Sequence, residues 1–254
     1  MRLYVLSLGQ ISLDKGRVLT PGVDDGHRVN VPVPAYLLQT DDGKNVVIDT
    51  GLHPVHVKDP DATTREFPNA PSGLMVPFMR PEDSIVRRLA ALDLAPGDVD
   101  YVVNTHLHFD HCGGNTFFGG VPILVQRNHY EYARESESFP SRYFDLPHLA
   151  YELIDGEVEL FGGVRTILTP GHAPWHQSLL VSLPHDGNVL ICADAIDCQD
   201  NLDHDAWGAQ RDPDLARESA QKLLRLAGEH DAQLFYGHDV AQWEELRLAP
   251  AFYS

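Results

Sequence analysis

Residues 106–111, His-Leu-His-Phe-Asp-His, narrow what this chain can be more than any other stretch. Four potential metal ligands, His106, His108, Asp110 and His111, fall within six residues. In front of them Val99 to Asn104 is an apolar, β-branched run that predicts a buried strand. Behind them Gly113-Gly114-Asn115 predicts a turn. A strand that ends in a ligand-bearing loop is a rigid mount for a metal, because the scaffold fixes the root of the loop. Mixed imidazole and carboxylate points to a first-row divalent ion: zinc, iron, cobalt or manganese. Structural zinc sites are closed and usually rich in cysteine, so this set argues for reactivity rather than for a structural staple.

Three more ligand-type residues stand where strands are expected to end. His172 follows Val164–Leu168 and Thr169-Pro170-Gly171, Asp194 follows Val189–Ala193, and His238 follows Ala232–Tyr236 and Gly237. Taken singly, each reads as easily as a turn or capping residue. Together with the first cluster they make five histidines and two aspartates, about what two ions need if one carboxylate bridges them. Val46-Val47-Ile48-Asp49 repeats the pattern of an apolar strand ending in aspartate. Asp41-Asp42-Gly43 predicts a hairpin between 31–39 and 45–49, and Asp212-Pro213 opens a helix that Gly228 should close. The whole predicts one α/β domain over 1–254, two β-sheets packed face to face with helices outside.

The rest of the chain limits function mainly by exclusion. A formal net charge of -18 repels phosphate backbones and anionic membranes, which argues against nucleic-acid partners. No apolar run approaches the ~20 residues of a membrane span, and the N-terminus is too soon polar for a signal peptide. Three cysteines without a Cys-x-x-Cys pair fit a reducing compartment, so a cytoplasmic location is expected. Residues 52–80 hold five prolines and scattered apolar side chains, Phe67, Met75 and Phe78 among them. A loop this long is expected to wall an apolar pocket, to pack on the core or to serve a homodimer interface.

The motifs resemble those of the metallo-β-lactamase superfamily. His-Leu-His-Phe-Asp-His at 106–111, Pro-Gly-His at 170–172, Asp194, Gly-His at 237–238 and Asp49 in Val-Ile-Asp-Thr-Gly match its metal motifs in order and spacing. Within it the chain looks most like the N-acyl homoserine lactonases. Leu-Thr-Pro-Gly at 19–22, Val-Gln-Arg at 125–127, His-Gln-Ser at 176–178 and Gly-His-Asp at 237–239 have counterparts there, and the tail at 249–254 looks like that of γ-butyrolactonases.

The resemblance implies an αβ/βα sandwich with His106, His108 and His172 on one metal, and Asp110, His111 and His238 on the other. Asp194 would bridge the two, with Asp49 and His176 behind, orienting ligands. Two divalent ions, zinc first, would share a hydroxide that opens a lactone, with Asp110 carrying the proton to the leaving oxygen. Phe67, Met75, Phe78, Phe109, Trp175 and Asp197 become candidate pocket residues. Trp175 stands where relatives often carry glycine, and Asp197 stands where they carry a carbonyl-binding tyrosine. Ionised, Asp197 only accepts hydrogen bonds, so it is expected to face solvent or to bind a substrate donor. The small-molecule substrate implied is an N-acyl homoserine lactone; a γ-butyrolactone or pyridoxolactone is the alternative, and a glyoxalase II-like thioester a more distant one.

Overall fold

The computed structural model describes residues 1–59, 62 and 73–254. Twelve strands are named in these residues: β1 Arg2–Asp14, β2 Arg28–Gln39, β3 Asn45–Ile48, β4 Met75–Phe78, β5 Tyr101–Val103, β6 Pro122–Gln126, β7 Ala150–Ile154, β8 Glu159–Phe161, β9 Val164–Leu168, β10 Gln177–Leu183, β11 Gly187–Ala193 and β12 Ala232–Tyr236. They form a seven-stranded sheet in the order β4-β1-β2-β3-β5-β6-β7 and a five-stranded sheet in the order β12-β11-β10-β9-β8.

Each sheet is covered on both faces, which is why its central strands read as nearly continuous apolar runs rather than as an alternation. The period of two still sorts the side chains. Val46 and Ile48 of β3 turn toward the other sheet and meet Leu179, Val181, Ile191 and Phe235, while Val47 between them joins Val102, Ile123, Ile85 and Leu89 on the outer side. The five-stranded sheet is backed by the helix Pro213–His230, through Ala216, Ala220 and Leu223 against Ile167, Leu180 and Leu190. The layers therefore run helix, sheet, sheet, helix, the expected αβ/βα sandwich.

Strand direction places the site. β3 and β5 are parallel, as are β11 and β12, and β9 shares their sense because β10 lies antiparallel to both β9 and β11. Their carboxyl ends thus emerge at one edge of the sandwich, carrying Asp49, the 105–111 loop, His172, Asp194 and His238. The two sheets are tied at that edge, where Gln177 at the start of β10 donates through its backbone to Thr105 O (3.1 Å) and through its side chain to Asn104 O (2.8 Å).

Three stretches differ from what their composition suggests. Part of 52–80 is regular: Val55–Lys58 is a short helix, and β4 adds to β1 as an edge strand, a place where Pro77 costs no ladder bond. The stretch 136–147 contains the helix Ser141–Phe144, because buried Tyr143 and Phe144 override its polar composition. The long helix passes Gly228 to His230 and ends on Asp231 in the left-handed conformation (φ 48°), which aspartate tolerates.

Gly171 shows how packing sets the position of His172. Its φ is +137°, and a Cβ there would lie 2.4 Å from the backbone of Ala216. Gly171→Ala is expected to cost about 2 kcal/mol or more through strain and overpacking together. Thermal melting reads the loss, and elemental analysis should show metal falling with it.

Candidate active site

The run 105–111 leaves β5, crosses the sheet edge and enters the single helical turn Phe109–Cys112. Within it His106 and His108 come together with His172 and Asp194, and Asp110 and His111 come together with His238, so that in each set the donor atoms lie within 4.8 Å of one another. In the first set His108 Nδ1 is 3.0 Å from His106 Nε2 and 2.9 Å from His172 Nε2, and Asp194 Oδ2 is 3.2 Å from His172 Nε2. In the second, His238 Nε2 and His111 Nε2 are 3.7 and 3.8 Å from Asp110 Oδ2. Asp194 Oδ1 faces both, at 3.1 Å from His111 Nε2 and 3.5 Å from His238 Nε2.

The outer nitrogens explain how the inner ones are aimed. Thr105 Oγ1 gives its proton to Asp49 Oδ2 (2.7 Å) and so accepts from His106 Nδ1 (3.1 Å). His111 Nδ1 donates to Asp49 Oδ2 (2.8 Å), His238 Nδ1 to Pro32 O (2.9 Å) and His172 Nδ1 to Gln210 Oε1 (2.8 Å). With Nδ1 engaged outside, each of these rings turns Nε2 inward, the nitrogen a metal takes when the proton it carries is displaced. His111 Nε2 and Asp194 Oδ1 are buried and, though 3.1 Å apart, make no aligned hydrogen bond to each other or to any other group, a costly arrangement that a cation relieves. The donor set fits divalent metal ions.

The electrostatics divide the cluster. Burial, reinforced by neighbouring imidazoles, keeps His106 and His108 far below the usual histidine range, and burial lowers His172 as well. Burial opposes the charging of His111 and His238 too, but Asp194 and Asp110 outweigh it, holding His111 well up and His238 at about 9. Burial would raise Asp194; His111, His238, His172 and His106 hold it well below the carboxylate range instead. Cys112 is no nucleophile here. Its thiol is buried, donates to Leu107 O (3.4 Å), and is pushed well above the usual range by burial.

Beside the cluster lies a cavity of ≈ 220 Å³. Ile11, Leu13, Val18, Leu19, Met75 and Phe109 form its apolar lining; His108, Asp110, His172, Asp194, Asp197, Gln210 and His238 form the polar one. Of the candidate pocket residues, Met75, Phe109 and Asp197 are therefore brought to it. Phe78 and Trp175 are about two-fifths exposed and do not line it, since β4 turns Phe78 outward, away from the buried Pro77, and Trp175 sits at φ 54° on the 173–176 turn. Phe67 lies outside the described residues. His176 is buried 5.0 Å, ring to ring, behind His106, with Nδ1 on Thr169 Oγ1 (2.9 Å).

Of the two settings expected for Asp197, facing solvent is overturned. It is buried, accepts from Gln210 Nε2 (2.7 Å), and is pushed well above the ordinary carboxylate range by burial and by Asp194. Two residues with structural leverage had no signal in the sequence. Gln210 lies in a loop without a motif, and His129 reads as an ordinary helical residue. His129 accepts from Leu107 N (2.9 Å) at Nε2 and donates to Pro174 O (2.6 Å) at Nδ1, joining the two ligand-bearing loops.

A model of the metallo-beta-lactamase superfamily matches residues 28–238. An N-acyl homoserine lactonase of Bacillus thuringiensis is 36% identical over 99% of this chain and 98% of its own. The N-acyl homoserine lactonase AttM of Azorhizobium caulinodans is 34% identical over 100% and 99%. A solved N-acyl homoserine lactone hydrolase with N-hexanoyl-L-homoserine bound at its catalytic metal centre superposes with a TM-score of 0.90, at 35% identity over 99% of this chain and 98% of that one.

Two outcomes test this geometry. Asp49→Ala removes the acceptor behind His106 and His111 and is expected to lower metal affinity about 10–100-fold, read by competition with a chelator. His129 sets a pH dependence: burial depresses it to about 4, while an unfolded histidine protonates near 6.5. Between those values the unfolded chain binds a proton that the native chain refuses, so stability falls as pH falls, by about 3 kcal/mol over the window. Denaturation of His129→Gln across it should show a slope shallower by about one proton.

Proposed function

The chain belongs to the metallo-beta-lactamase superfamily, and from that premise we propose that it hydrolyses the lactone ring of N-acyl homoserine lactones. One observation carries the reading: five histidines and two aspartates converge beside a half-apolar cavity, in a chain similar over its full length to N-acyl homoserine lactonases. His106, His108 and His172 would hold one ion and Asp110, His111 and His238 the other, with Asp194 facing both sets. Zinc is the ion proposed for both, since neutral imidazole and carboxylate suit it, with iron, cobalt and manganese as substitutes. Two such ions supply water that ionises near neutral pH and a Lewis acid for a carbonyl.

The chain's own residues do the rest. The cavity's apolar wall holds the acyl chain and keeps bulk water from the ring. Asp110, in the second ligand set and on the cavity wall, takes the proton of the attacking water on a carboxylate oxygen and returns it to the ring oxygen as the C–O bond breaks. The product is an N-acyl homoserine, whose new carboxylic acid releases a proton at neutral pH. An unsubstituted γ-lactone is the second reading; the apolar wall favours the acylated one.

A panel of bare and N-acylated lactones in a pH-stat tests the proposal. Acid release is expected with the acylated substrates, is abolished by chelation, and returns with added zinc. Asp194→Asn, which weakens both ligand sets together, is expected to lower kcat/KM about a thousandfold, ~4 kcal/mol of barrier. Full turnover by exhaustively chelated protein would overturn the reading.

A further inference from the structure

Hydrolysis of an ester concentrates negative charge on the carbonyl oxygen, and a preorganised neutral N–H or O–H is worth most where water is excluded. The polar lining of the cavity is short of such donors. His108, His172, His238, Asp110 and Asp194 belong to the ligand sets, and Ser138 is exposed. Asp197 faces Gln210 as an acceptor, taking an N–H from its amide at 2.7 Å, so Gln210 remains, 6% exposed and lining the cavity.

Its carboxamide is held at both ends. His172 turns Nε2 toward the ligand cluster and therefore carries its proton on Nδ1, which makes the Gln210 atom 2.8 Å away the oxygen and sets the amide's orientation. The amide nitrogen then donates one N–H to Asp197 Oδ2 (2.7 Å). Its second N–H meets no acceptor among the described residues. The backbone beneath is equally constrained. Gln210 N donates to Trp207 O (3.0 Å), and Asp212 N donates to Gly171 O (2.9 Å), next to His172. Asp212 also caps the helix Pro213–His230 through Leu215 N (3.1 Å).

We propose that Gln210 is a substrate-contacting residue that gives its second amide N–H to the ring carbonyl oxygen of the lactone, aimed by His172 on one side and Asp197 on the other. The inference rests on the lactonase reading of the site. Asp197 is then a positioning residue: it takes the first N–H of Gln210 and leaves the second to face the cavity. A donor of this kind distinguishes ligands by a carbonyl in the ring, whatever acyl chain they carry.

The test uses zinc-loaded protein and two variants. Gln210→Met keeps the volume and loses both polar ends; Gln210→Glu keeps an acceptor for His172 and loses the donor. Zinc content is measured for each. Both variants are expected to lose about 10–100-fold in kcat/KM on an N-hexanoyl lactone and on γ-butyrolactone alike. Binding of two unreactive analogues separates contact from structure. The N-hexanoyl γ-lactam, which keeps the ring carbonyl, should weaken about tenfold, and the N-hexanoyl-3-aminotetrahydrofuran, which lacks it, should stay within about twofold. Equal weakening of both analogues, loss of zinc from both variants, or a defect confined to acylated substrates would overturn the proposal. If the unaltered protein opens no lactone, the lactonase reading fails, and the lactam and ether comparison still decides the donor.

Discussion

The buried carboxylate of Asp49 is the interaction on which the site depends. It accepts from Thr105 N (2.8 Å), Thr105 Oγ1 (2.7 Å) and His111 Nδ1 (2.8 Å), three donors from one loop on a residue at the end of a different strand. A carboxylate taken out of water costs several kcal/mol unless such partners replace its hydration. The loop therefore closes over β3 in one register. Because Thr105 spends its proton on Asp49, it must accept from His106, and because His111 donates there, its other nitrogen must face inward. One carboxylate thus fixes the tautomer of a histidine in each ligand set.

Charge completes what geometry begins. Five imidazoles and the carboxylates of Asp110 and Asp194 meet at the cavity wall, all buried except His108 and His172, which are half-buried. The neighbouring acids hold His111 and His238 toward their protonated forms, whereas burial and their imidazole neighbours keep His106 and His108 neutral. A proton on the second set stands in for positive charge that the site requires. Metal binding displaces protons from its ligands, so the same carboxylates that raise His238 also attract the cation that replaces its proton.

How much of this could be read from the sequence follows from locality. His106 to His111 are contiguous, and His172, Asp194 and His238 each end an apolar strand, so their order, read with the family resemblance, picks out the seven residues that the structure brings together. The helix from Asp212 and the strands β9, β10 and β12 are equally local in origin, being marked by caps, turns and β-branched runs. What escaped depends on contacts across the chain. The leverage of His129 comes from Leu107 and Pro174, 22 and 45 residues away, and that of Gln210 from His172 and Asp197. The burial of Asp197 escaped for the same reason. An aspartate is exposed by default, and only the fold puts Gln210 over it. Phe78 fails differently, since the sequence cannot tell which way an edge strand turns its side chains until β1 supplies the register.

The backbone itself bears the mark of the site. Among the described residues, positive φ at positions other than glycine falls mostly on aspartates, whose side chains tolerate the left-handed region; the exceptions are Trp175 (54°) and Ala193 (46°). Both adjoin the cluster, Trp175 before His176 and Ala193 before Asp194. Asp49 itself is at 56°. Such conformations cost of order 1–3 kcal/mol each and persist only where the surroundings over-determine them. At Ala193 they do. The β11–β12 ladder shifts register between Ile191 and Ala193, and Gly237 packs so tightly that a Cβ would come within 2.7 Å of Ala193 O. Relaxing Ala193 would swing Asp194 away from all four of its imidazole neighbours at once. The strain is therefore tied to the one carboxylate that faces both ligand sets, and the packing of the two parallel strands beneath it holds that strain in place.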